Sequence, residues 1–100
     1  MVKHIVFFRL TSFDSDAEKE SQIEKMKKIF SALPSKLHFI GSYMTGKNIS
    51  TGDHAWDFVI DSAFSSRQDL ERYIESPEHR EAVRKASVIK KEKAVVDYEY

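Results

Sequence analysis

The opening run Val2-Lys3-His4-Ile5-Val6-Phe7-Phe8-Arg9-Leu10 constrains this chain more than any other segment. It is rich in β-branched and aromatic residues and reads as a strand. Side chains alternate across a strand, so Val2, His4, Val6, Phe8 and Leu10 share one face and Lys3, Ile5, Phe7 and Arg9 the other. Both faces are apolar in the middle, which is the pattern of a strand covered on both sides. Helices of the same chain can supply one cover. A chain of 100 residues has little left for the second. A domain of that size buries only about 60–65% of its unfolded surface, and association is a common remedy.

The rest of the chain alternates helix and strand. Thr11 to Asp16 is expected to turn. Ser15-Asp16-Ala17-Glu18 has the spacing of a capping box, and Ile23, Met26, Phe30 and Leu33 then recur at steps of three and four, with Ile29 beside them. The helix is expected to stop at Pro34. A second strand runs from Leu37 to Tyr43, extending towards Lys47. Asn48 to Asp53 is a hairpin loop, and Ala55 to Phe64 a third strand. Trp56, on that strand's apolar face, is read as core. Ser65 or Ser66 caps a second helix bearing Leu70, Tyr73 and Ile74. Ser76-Pro77 reopens it, with serine as N-cap and proline in the first turn, and Ala82, Val83 and Ala86 form its stripe. The lysines at 90, 91 and 93 read as a solvated turn, and Lys93 to Tyr100 as a closing strand. The order β-α-β-β-α-β is the ferredoxin-like arrangement, an α+β fold, in one domain spanning residues 1–100.

Helices cover only one face of such a sheet. The other stays bare unless a second copy packs against it, so Ile5, Phe7 and Val59 are expected at a homodimer interface.

Composition removes several function classes. Lysine and arginine together number 16, as do aspartate and glutamate, and the formal net charge is zero. A nucleic-acid partner is therefore not expected. There is no cysteine, which excludes disulfides and thiolate metal sites. The N-terminal apolar run is too short to span a membrane, is broken by Arg9 and lacks a cleavage site, so no membrane association is expected and the expected location is cytoplasmic. Histidines stand at 4, 38, 54 and 79 without metal-binding spacing, and no glycine-rich phosphate loop is present. No metal and no cofactor are expected, although a single histidine suffices for haem.

Several segments in order resemble the stress-responsive dimeric α/β-barrel domain family, including its olivetolic acid cyclase-type members. These are Val2 to Leu10, Leu33-Pro34, Gly46-Lys47-Asn48-Ile49-Ser50, Phe58 to Phe64, Tyr73-Ile74-Glu75-Ser76-Pro77-Glu78-His79 and Ala94-Val95-Val96-Asp97-Tyr98. The resemblance implies a ferredoxin-like βαββαβ protomer whose sheets pair into a dimeric α/β barrel. It implies that Tyr73 and His79 correspond to the functional pair of cyclase-type members, and His4 to the family's first-strand histidine. Ser76 stands where the family often has histidine. Phe58 stands where cyclase-type members carry a third-strand histidine. The cofactor-free monooxygenases share the architecture, but no residue here points to them.

The face bearing His4, Val6 and Phe8, together with Ile23, Met26, Phe58 and Ile60, outlines an apolar ligand pocket with few polar groups. A histidine at a helix start is disfavoured in its charged form, which suits a general base near neutral pH. His79 could abstract a proton beside a carbonyl while the Tyr73 hydroxyl hydrogen-bonds the developing oxyanion. The expected function is binding of a small, largely apolar carbonyl or phenolic compound with lyase- or cyclase-type acid–base chemistry. The alternative is a non-catalytic, stress-linked structural or interaction protein. A cavity beside His79 favours the first reading. An interface filled by Met26, Phe30 and Phe58 favours the second.

Overall fold

The computed structural model describes residues 1–11 and 13–100. The elements are β1 (Val2–Leu10), α1 (Asp16–Ser31), α2 (Leu33–Lys36), β2 (Ile40–Lys47), β3 (Phe58–Phe64), α3 (Arg67–Glu75), α4 (Pro77–Ala86) and β4 (Lys90–Glu99). The turn expected at Thr11–Asp16 includes Ser12, which lies outside the described residues.

The strands form one antiparallel sheet in the order β2-β3-β1-β4. This is the ferredoxin-like α+β fold. The strand that is apolar on both faces, β1, sits inside the sheet. Phe7 pairs with Val59 of β3 and Ala94 of β4, and His4 pairs with Ser62 and Asp97. Val2, His4, Val6, Phe8 and Leu10 are all buried under the helices. From α1, Ile23, Met26 and Phe30 meet them, and the Phe8 and Phe30 rings stack at 5.8 Å between centroids.

Serines start the three longer helices. The Ser15 hydroxyl accepts from the Glu18 N–H at 3.1 Å, and the Glu18 carboxylate accepts from the Asp14 N–H at 2.9 Å, so the box closes one residue further back than the usual pattern. Ser66 caps α3 by accepting from the Asp69 N–H at 3.1 Å.

Five local expectations are corrected. Pro34 does not end the first helix: α1 stops at Ser31, and Pro34 lies in the first turn of α2, where a missing N–H leaves no intrahelical bond unmade. That extra turn delays β2 to Ile40. The third strand begins at Phe58, because Asp57 is committed to closing the end of β1. Its N–H donates to the Phe8 carbonyl at 2.9 Å and its carboxylate accepts from the Leu10 N–H at 2.9 Å. Trp56, just before, is half-buried beneath the Arg9 guanidinium rather than in the core. Lys90, Lys91 and Lys93 are not a turn but lie in the first part of β4, where Lys90 pairs with Leu10 and Lys93 with Phe8, and Lys91 falls in the register shift between them.

On the face away from the helices, Phe7, Met44, Val96 and Tyr98 are exposed, with Ile5 and Val59 half-buried between them. Among the described residues no helix is long and apolar enough to cross a membrane.

Candidate functional site

The helices approach β1, β2 and β3 more closely than β4. That asymmetry leaves a cavity of about 150 Å³ between the α3–α4 pair and the inner faces of β1 and β4. Val6, Phe8, Phe30 and Ile60 form its apolar floor, and Ile74, Val83 and Ala86 its helical wall. Its polar groups are His4, Tyr73, His79, Asp97, Lys90 and Lys93.

The break between α3 and α4 positions His79. Ser76 is extended there, and its hydroxyl donates to the Tyr73 carbonyl at 2.7 Å while accepting from the His79 N–H at 3.1 Å. The redirected chain brings the His79 ring back under the end of α3. Its Nδ1 lies 3.1 Å from the Ile74 carbonyl oxygen, one of the carbonyls that a helix C-terminus leaves without an intrahelical donor. A carbonyl can only accept, so Nδ1 carries the proton and Nε2 is left with its lone pair. Burial holds the His79 pKa below the usual histidine range. The Ile74 bond opposes this, and the nearby His4 and Lys93 add to the lowering. The ring is neutral at pH 7. Ser76, not the His79 side chain, is the helix cap.

The Tyr73 ring centroid lies 4.5 Å from that of His79, and the tyrosine is almost fully buried. Its hydroxyl is 3.0 Å from that of Tyr43 on β2. Burial pushes the Tyr73 phenol up to about 12, with Tyr43 moderating the rise. Tyr43 is pushed higher still, by burial first and then by Tyr73. Either hydroxyl can donate in this pair. His4 is also buried, its Nδ1 2.5 Å from Asp97 Oδ1 on the neighbouring strand and its ring edge-on to Tyr73 at 6.0 Å.

Of the residues expected around a ligand, His4, Val6, Phe8 and Ile60 line the cavity with Tyr73 and His79. Ile23, Met26 and Phe58 do not. They are packed into the core, where α1 closes over the sheet without leaving space. Asp97, Val95, Lys93 and Lys90 were not expected at the site. They alternate along β4 towards the helices, and the signal was the continuation of β4 back through the lysines. Tyr43 was missed because a tyrosine on a strand carries no mark of its partner. Among the described residues, no three His, Asp or Glu side chains come together as a metal ion would require.

Sheet order, helix layer and cavity define a ferredoxin-like domain of the kind built on one covered and one open sheet face. The chain belongs to the stress-responsive A/B barrel domain family, whose pattern matches residues 2–100. An uncharacterised protein of Streptomyces coelicolor is 31% identical over 83 residues, which is 83% of this chain and 84% of the relative. The crystal structure of a dimeric ferredoxin-like protein of unknown function from Bacteroides fragilis is similar at a TM-score of 0.86 and 33% identity, over 99% of this chain and 95% of that one. The hydroxynitrile lyase of Passiflora edulis is similar at a TM-score of 0.79 and 23% identity, over 97% of this chain and 90% of that one, which shows a shared fold.

Proposed function

We propose that this chain works as a homodimer whose protomers each bind a small, largely apolar carbonyl or phenolic compound in the cavity beside His79, with His79 and Tyr73 as an acid–base pair. The observation that carries the reading is the locked tautomer of His79. Its Nδ1–H is held by Ile74 in the wall of a ligand-sized cavity, and Nε2 is unprotonated. A cavity of about this volume accommodates a single benzene-sized ring.

The chemistry follows from those two groups. Nε2 takes the proton from the carbon beside a carbonyl. The C–H electron pair becomes the enolate, whose oxygen receives a hydrogen bond from the Tyr73 hydroxyl. The enolate carbon then attacks a second carbonyl in a cyclase-type step, and the imidazolium returns its proton to the new alkoxide. In the lyase direction Nε2 takes a hydroxyl proton, the adjacent C–C bond breaks as the carbonyl forms, and the departing carbanion takes the proton back. A lyase reading is supported by the Passiflora edulis neighbour of the same fold, which is described as a hydroxynitrile lyase.

The dimer rests on the open sheet face. Ile5, Phe7, Val96 and Tyr98 give that face an apolar stretch beside the Lys3–Asp61 ion pair, extended by a shallow hollow of about 570 Å³ where Trp56 and Ile49 meet Phe7 and Val59. The B. fragilis and Thermobifida fusca neighbours are described as dimeric.

A thermal-shift screen with small aldehydes, ketones and phenols, run on the wild type and His79→Ala, tests the ligand reading. A ligand of the folded state at a hundredfold over its Kd adds about 2.7 kcal/mol, a clear rise in Tm for a small domain. A hit on the wild type that His79→Ala loses, followed by turnover of that compound, is expected. Binding without turnover would leave a carrier or sensor. No binding by any of these compounds would return the chain to the structural reading.

A further inference from the structure

We propose that the cavity selects a ligand carrying a carboxylate, with Lys93 and Lys90 at its mouth holding that group. The inference rests on the cavity being a ligand site and narrows what occupies it.

The placement of the lysines is the starting point. In the β1–β4 register, Lys93 stands beside Phe8, Val95 beside Val6 and Asp97 beside His4. Phe8, Val6 and His4 are the buried, helix-facing residues of β1. Lys93 therefore belongs to the same helix-facing surface, and Lys90, beside Leu10, continues it. Such a surface is ordinarily apolar, and an ammonium group there is tolerated when its head reaches water or an anion.

Neither lysine has an anion of its own. Among the described residues, Lys90 and Lys93 make no ion pair, although both line the cavity. The cavity's single carboxylate, Asp97, is engaged by His4 at 2.5 Å. The lining thus carries two cations against one occupied anion, in a chain whose formal net charge is zero. The local excess is a matter of placement, not composition.

The charge is also felt inside. Lys93 contributes to the depressed pKa of His79. A bound carboxylate would neutralise that contribution and restore part of the basicity of Nε2. Cavity size limits the body of the ligand to about one ring, with the carboxylate at the mouth. A small aromatic or keto acid fits this description, and a neutral phenol or aldehyde of the same size lacks the charged contact.

Calorimetric titration with benzoate and its neutral isostere benzamide, at low and high salt, tests this on the wild type, Lys93→Met and Lys90→Met. Benzoate is expected to bind about tenfold or more tighter than benzamide, with the advantage shrinking as salt rises. Lys93→Met should bring benzoate down to the benzamide level and leave benzamide unchanged. In the wild type, benzoate should raise the His79 titration midpoint seen by NMR. Equal binding of the two probes would overturn the carboxylate assignment while leaving the cavity as a ligand site. A benzoate preference that survives both lysine variants would overturn the role of the lysines. Displacement of benzoate by inorganic phosphate at equal concentration would show general anion binding and overturn carboxylate selection. Failure of both probes to bind would overturn the cavity reading along with this one.

Discussion

The hydroxyl groups of Tyr43 on β2 and Tyr73 on α3 lie 3.0 Å apart and tie the far side of the sheet to the helix that carries the cavity wall. Both phenols are too weakly acidic to ionise near neutral pH, so the contact is a neutral hydrogen bond in a buried setting.

That bond makes the two tyrosines a coupled pair. Tyr43→Phe and Tyr73→Phe should each cost about 1–2 kcal/mol, because each removes one partner of a buried hydrogen bond. The double variant should cost clearly less than the sum of the two. Urea unfolding at one fixed protomer concentration measures the cycle. Strict additivity would mean that the hydroxyls do not interact.

Ser76 serves two elements at once, accepting from the His79 N–H and donating to the Tyr73 carbonyl. Ser76→Ala should destabilise by about 1–2 kcal/mol, the upper part of the range for an N-cap, because the side chain is buried. It should also loosen the His79 ring, since the turn that places it beneath Ile74 depends on the cap. Denaturant unfolding and the NMR line width of the His79 ring protons report the two effects separately. A variant that unfolds earlier with an unchanged His79 signal would remove Ser76 from the positioning of the base.

The depressed pKa of His79 gives its pH dependence a definite sign. The unfolded chain, with a histidine pKa near 6.5, takes up the proton before the folded one does. The contribution of His79 to stability is therefore fully present above that value. It is lost as pH falls through 6.5 towards the lower folded-state pKa, and is level below it. The difference in stability between the wild type and His79→Gln should shrink over that window as pH is lowered. A difference that grows instead would place the folded pKa above 6.5 and contradict a neutral ring at pH 7.

Phe7 sits near the centre of the open sheet face, between Val59 and Ala94. Phe7→Glu should shift the proposed dimer to monomer, since a carboxylate has no partner in an apolar sheet–sheet interface. Sedimentation equilibrium of the wild type and variant reads the outcome. The monomer should also unfold at lower denaturant, with a midpoint that no longer depends on protein concentration. A wild type that sediments as a monomer would dismiss the paired-sheet reading.

Local chemistry settled much of this protein in advance. Val2 to Leu10 reads as a strand, and β1 spans those residues with Val2, His4, Val6, Phe8 and Leu10 buried on one face. Ser15, Ser66 and Ser76 stand where helix caps are needed, and each accepts the N–H three residues on. These features depend on neighbours within a few residues, which a sequence displays directly. The placement of Tyr73 and His79 on adjacent helical segments has the same origin.

What tertiary structure decided was everything that depends on how closely layers approach. The sequence cannot show that Ile23 and Met26 of α1 pack tightly into the core with Phe58 of β3 while α3 and α4 stand off from β4. That difference moves three expected pocket residues into the core and opens the space over β4. Lys93 and Asp97 became cavity residues only when β1 and β4 were paired in register, placing them beside Phe8 and His4. The bonds Tyr43–Tyr73 and His4–Asp97 join residues far apart in the chain. Periodicity specifies which face a side chain takes, whereas the partner across that face is set by register and helix packing, which exist only once the layers have come together.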